Sequence, residues 1–197
     1  MYPRARLDTL SDAIFGVAMT LLILDVRLPE EFHPRDGHEL LADLLGLAPK
    51  FIPYVFSFVV LGLRWLASVQ VRSRAEHVGR TYIYWWLLNL ILITCVPFST
   101  VMVGRFANLA PAIWLYAANT GLLAVVAFVI MAVTPQIERD ELLHERQVSL
   151  WILLGSSLLA VGWSLVNPRQ ALWAFALNIA APAASRWLRS RLPGKSR

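Results

Sequence analysis

Arg6-Leu7-Asp8-Thr9-Leu10-Ser11-Asp12 runs directly into Ala13-Ile14-Phe15-Gly16-Val17-Ala18-Met19-Thr20-Leu21-Leu22-Ile23-Leu24-Asp25. Asp12 and Asp25 bracket an uncharged run of twelve residues, which as a helix rises about 18 Å. A lipid-facing helix has to cross about 30 Å of hydrocarbon. Acidic groups near that depth are costly and face a bundle interior or a water-filled path. The stretch therefore reads as the functional helix of a membrane bundle, wrapped by more apolar neighbours.

The rest of the chain supplies such neighbours. Of 197 residues, 57% are hydrophobic and 16% charged, against about half and a quarter in a soluble domain, and the mean hydropathy is +0.57. The uncharged stretches Thr81 to Gly104, Phe106 to Ile137 and Gln147 to Pro168 are each long enough to span a bilayer. Together these predict an integral membrane protein. The excess of five positive charges and the pI of 9.9 do not argue for nucleic-acid binding, because the basic residues sit in membrane-flanking loops, as orientation signals do. A single cysteine, Cys95, within an apolar stretch excludes an intrachain disulfide framework and a multi-thiolate metal site. The first apolar run ends in Leu24-Asp25-Val26-Arg27, without the small-residue pattern of a cleavable signal peptide.

Six helices are predicted in one domain, residues 1–197. The first covers Asp8 to Leu28 and stops at Pro29. The second covers Leu40 to Leu66, with Pro49 and Pro53 marking a bend or an interfacial first turn near Lys50. The others cover Tyr82 to Val103, Pro111 to Thr134, Val148 to Val166 and Gln170 to Leu188. With this count, thirteen Lys and Arg fall on the side of both termini and five on the other, which places the termini in the cytoplasm. The eight tryptophans all fall near predicted helix ends, where interfacial aromatics belong.

On a wheel of about 100° per residue, Ala13, Val17, Thr20 and Leu24 form one narrow stripe of the first helix, spaced four, three and four. Asp12 lies roughly 100° from its centre, and Arg6 roughly 240° around from Asp12, too far for an intrahelical pair. A stripe of modest apolar side chains with one hydroxyl suits helix packing as well as a pore, and the wheel alone leaves both open. Ser11 and Asp12 at the start of the helix suit either a cap or an interhelical network.

Arg6-x-x-x-Leu10-Ser11-Asp12, followed by Ala13-Ile14-Phe15 and Ala18-Met19-Thr20-Leu21-Leu22, resembles the signature of the transmembrane protein 175 family, potassium-permeable channels with a prokaryotic single-repeat branch. The resemblance continues through Ser57-Phe58 and Trp65, Asn89 and Pro97-Phe98, and Tyr116 and Asn119. Two departures stand out. Leu10 occupies the place where the family has Phe, and Ser68-Val69 stand near where many bacterial relatives have a histidine pair. His77 in the following loop is either a substitute or a solvated side chain.

The resemblance implies an all-α membrane protein of six transmembrane helices per chain, with the first helix lining the central pore of a homotetramer. It implies passive conduction of K⁺, with no cofactor, through a constriction at Val17, Thr20 and Leu24. Ala13 and Asp25 would also line the pore, and Arg6, Leu10, Ser11 and Asp12 would form a structural or gating network. The implied partners are K⁺, copies of the same chain and the bilayer. The chain has no Thr-Val-Gly-Tyr-Gly loop, so a filter of that backbone-carbonyl type is excluded. Asp25 is either a ring of acidic groups at the pore mouth or a solvated helix end.

Other features point less far. His33, Asp36, His38 and Glu39 form either a divalent-cation loop or a solvated one. The basic tail, Arg186 to Arg197, suits anionic lipid. No arginine repeat of a voltage sensor occurs, and no nucleophile with a neighbouring base argues for an enzyme. The alternative function is a proton- or cation-coupled secondary transporter that protonates Asp12.

Overall fold

The computed structural model describes residues 2–26, 35–69, 76–134 and 141–179. A short strand β1 (Tyr2–Pro3) leads into α1 (Arg4–Leu21) and a 3-10 turn (Leu22–Asp25). Then come α2 (Gly37–Gly46), α3 (Ala48–Val69), a second strand β2 (His77–Val78), α4 (Arg80–Phe106), α5 (Ala110–Val133), α6 (Glu141–Ser164) and α7 (Pro168–Ala171). The helical course of α7 continues through a 3-10 turn (Leu172–Phe175) to residue 179. Among the described residues, five helices (α1, α3, α4, α5 and α6) are long and apolar enough to cross a membrane. The sixth expected span begins at α7, and its part beyond residue 179 lies outside the described residues, as do His33 and the basic tail.

The predicted second helix is two helices, broken at Leu47. Pro49 supplies no backbone N–H, so the ladder fails close to the expected bend. α2 starts with a reciprocal cap: the Glu39 N–H donates to Asp36 Oδ1 at 2.8 Å, and Glu39 Oε2 accepts from the Arg35 N–H at 2.7 Å. Two of the residues considered for a divalent cation are thus engaged in helix capping. α1 begins four residues earlier than expected. The strand before it pairs antiparallel with β2, Tyr2 opposite Val78 and Pro3 opposite His77, and the Arg4 N–H donates to the Glu76 carbonyl at 2.9 Å.

α5 is the central helix. Its apolar window is 56% buried, whereas that of α1 is 17% buried. Among the described residues α1 is therefore not wrapped by its neighbours, which corrects the reading of it as the enclosed helix within one chain. It is anchored on one side only: Phe15, Ala18 and Leu22, at i, i+3 and i+7, pack with Leu61, Tyr82, Trp86 and Leu90.

The bundle closes through small residues and hydroxyls, the usual means of helix association in lipid. A Cβ on Gly121 of α5 would stand 3.5 Å from Ser157 Cβ of α6, and beside it the Thr120 and Ser157 hydroxyls are 3.0 Å apart. One turn earlier on α5, Tyr116 Oη lies 2.9 Å from Ser57 Oγ of α3, which accepts from the Thr100 hydroxyl of α4 at 2.7 Å. Three helices meet at Ser57, whose side chain is fully buried.

Candidate functional site: two faces of the first helix

α1 turns one face to the bundle and leaves the other uncovered. Val17 and Leu24 are 58% and 60% exposed, and Leu10, Ala13 and Thr20 are exposed as well. The stripe read from the sequence is therefore the face that no other element covers among the described residues. Arg6 stands exposed at its head, since 6, 10, 13, 17, 20 and 24 step by four, three, four, three and four. The Thr20 hydroxyl donates to the Val17 carbonyl at 2.8 Å. Its proton is thereby turned into the helix, and its oxygen lone pairs remain as acceptors. Asp25 closes the 3-10 turn.

The other face ends in a polar site. Where α1, α4 and α6 begin and α3 and α5 end, a cavity of about 250 Å³ opens. Arg4, Asp8, Ser11, Asp12, Arg64, Ser68, Tyr82, Trp86, Asn89 and Arg146 supply its polar lining. Asp12 Oδ1 accepts from the Trp65 indole N–H at 2.8 Å, and Ser11 Oγ accepts from the Trp86 indole N–H at 2.9 Å. Arg64 donates to Asn89 Oδ1 at 2.8 Å. Arg4 Nε and Asp8 Oδ2 are 3.6 Å apart, an i,i+4 pair on α1. Ser11 and Asp12 are thus interhelical partners and not caps; the α1 cap residue is Pro3, with no side-chain bond.

The structure brings Ser11 and Asp12 together at this cavity and places Arg6 and Leu10 on the uncovered face. Ser68 and Val69, which stand where the histidine pair would, line the cavity, and the Ser68 hydroxyl donates to the Trp65 carbonyl at 2.6 Å. His77 is exposed on β2, outside that lining.

Sequence reasoning missed Arg4, Asp8, Arg64 and Arg146. Arg64 and Arg146 read as orientation charges at membrane-flanking ends, yet both lie within membrane-length helices. The available signal was the position of Arg64 beside Trp65, since a charge inside an apolar run asks for a partner. Trp65, Asn89, Ser57 and Tyr116, which carried the resemblance, pair with Asp12, with Arg64 and with each other.

The family model described as Endosomal/lysosomal potassium channel TMEM175 matches residues 6–97. A protein named Potassium channel from Streptomyces collinus is 36% identical over 107 residues, 54% of this chain and 50% of the relative. A second of that name, from Chamaesiphon minutus, is 29% identical over 101 residues, 51% of this chain and 49% of the relative. The matched region thus spans about half the length of these relatives. Among solved structures, a lysosomal potassium-selective channel TMEM175 homolog from Chamaesiphon minutus superposes with a TM-score of 0.76 at 24% identity, covering 92% of this chain and 97% of that one. Residues 6–97 thus resemble the TMEM175 family model, and the chain as a whole shares the fold of that homolog.

Proposed function

We propose that the chain is the subunit of a potassium-conducting channel whose pore is lined by the uncovered face of α1. The observation that carries this reading is the exposure of Val17 and Leu24 on the least buried of the five membrane-length helices. Asp12 and Asp25 on the same helix are too closely spaced for a lipid-facing span. The names of the bacterial relatives support K⁺ as the permeant ion.

One chain contributes one α1, so the conduction path requires several copies, four in the arrangement that the resemblance implies. Rings of Val17 and Leu24 form apolar constrictions that gate by closing or dewetting. Between them, Thr20 presents oxygen lone pairs to a partly dehydrated cation. A smaller ion holds its water more tightly and meets the higher barrier, so K⁺ passes more readily than Na⁺. Asp25 at the mouth concentrates cations, and Ala13 continues the lining toward Leu10 and Arg6. Ser11 and Asp12, held by Trp86 and Trp65, fix how α1 sits against α3 and α4. Both termini lie in the cytoplasm, as the distribution of basic residues requires.

Flux of K⁺ and Na⁺ into liposomes holding the purified protein tests this reading. Val17→Ala and Leu24→Ala raise flux and lower K⁺ preference; both properties unchanged in both variants would contradict it. Saturable flux that follows a proton gradient and disappears in Asp12→Asn would instead identify a coupled transporter.

A further inference from the structure

The cavity at the α1 end of the bundle holds more positive charge than its own carboxylates neutralise. Asp8 is engaged by Arg4 and Asp12 by Trp65. Arg64 and Arg146 have no ion-pair partner among the described residues, and their charges lie close enough to repel each other. The Nε atoms of both are buried and without a hydrogen-bond partner. Among the described residues, only the Arg64–Asn89 bond involves either guanidinium. Two guanidiniums set among apolar helices with unused donors are costly unless an anion compensates them.

The geometry points to a binding site for a phosphate group between Arg64 of α3 and Arg146 of α6, at the mouth of this cavity. Guanidinium donors match the oxygens of a phosphate in pairs, and a space of about 250 Å³ accommodates one. The same two arginines also border a narrow cleft of about 30 Å³ with Val60, Leu63, Leu150 and Leu153. A lipid whose headgroup reached the arginines would have an apolar surface for the first carbons of its chain. Either source, a lipid phosphate or a soluble one, joins α3 to α6 beside the pairs that hold α1. The site does not depend on which ion the protein conducts.

Thermal unfolding of the full chain in phosphatidylcholine nanodiscs, followed by tryptophan fluorescence, tests the site. Arg146→Gln is the informative variant, because it removes a charge that no hydrogen bond ties to the fold. Saturating inorganic phosphate, or replacing part of the phosphatidylcholine by phosphatidic acid, raises the midpoint of the unmodified protein. The rise is at least about 5 °C at concentrations about 100-fold above Kd. The rise is lost in Arg146→Gln and reduced in Arg64→Lys, which keeps the charge but not the paired donors. A response to phosphatidic acid alone assigns a lipid, and a response to inorganic phosphate alone assigns a soluble anion. No rise above a chloride control of equal ionic strength, or an equal rise in Arg146→Gln, overturns the proposal.

Discussion

The indole N–H of Trp65 donates to Asp12 Oδ1 across 2.8 Å, tying the end of α3 to the start of α1. Asp12 keeps part of its surface exposed, so this bond is a positional clamp more than a source of stability. Trp65→Phe removes the donor and keeps most of the ring. It lowers unfolding stability by about 1 kcal/mol and changes K⁺ flux, because α1 is free to rotate on its buried face. Asp12→Asn retains an acceptor and costs less. Thermal unfolding and liposome flux on the same preparations check both statements.

Ser57 joins three helices, between Tyr116 and Thr100. Ser57→Ala leaves a buried phenol without its partner, while Thr100 retains the Val96 carbonyl at 2.8 Å. The expected loss is about 1–2 kcal/mol, above the average for a single interhelical bond in a membrane. Tyr116→Cys is a poor control, because it also deletes the ring packed on Phe175. Tyr116→Phe keeps the ring, leaves Ser57 its bond to Thr100, and costs less than Ser57→Ala in the same unfolding assay.

Gly121 separates two kinds of crowding. A Cβ there meets Ser157 at ordinary van der Waals distance, so Gly121→Ala leaves stability nearly unchanged. Gly121→Val adds two methyl groups against Ser157 and Leu154 and destabilises by about 1–3 kcal/mol. Unfolding midpoints in detergent distinguish the two.

Thr20→Val replaces the hydroxyl with a methyl of similar size. It removes the acceptor lone pairs from between the Val17 and Leu24 constrictions and lengthens the dry segment. K⁺ flux falls while the unfolding midpoint is kept, since the lost bond is local to the helix. An unchanged flux would place Thr20 outside the conduction path.

The stripe of Ala13, Val17, Thr20 and Leu24 was legible from helical spacing, but both faces of α1 are largely apolar, so the wheel left open which of them packs and only the resemblance chose. α5 offers no such guide: it is apolar all round, so its central place follows only from packing against α4 and α6. Arg64 and Arg146 count as orientation signals in the sequence because an arginine near a helix end contributes to the charge bias, which hides an inward role. Whether α6 starts at Glu141 or seven residues later depends on tertiary support for a charged turn. Asp36 and Glu39 carried a legible capping spacing, three residues apart, which the presence of nearby histidines obscured. Pairings such as Trp65 with Asp12 join residues 53 positions apart, and no local pattern encodes them.

The central claim, that the uncovered face of α1 lines the conduction path, is tested most directly by thiol accessibility. Cys95 is exposed on α4, so Cys95→Ser provides the background. In that background a charged, water-soluble thiol reagent blocks K⁺ flux through Val17→Cys and leaves Leu122→Cys, on the exposed face of α5, unaffected. Modification of Val17→Cys without loss of flux, or no modification of it in a conducting protein, would contradict the account.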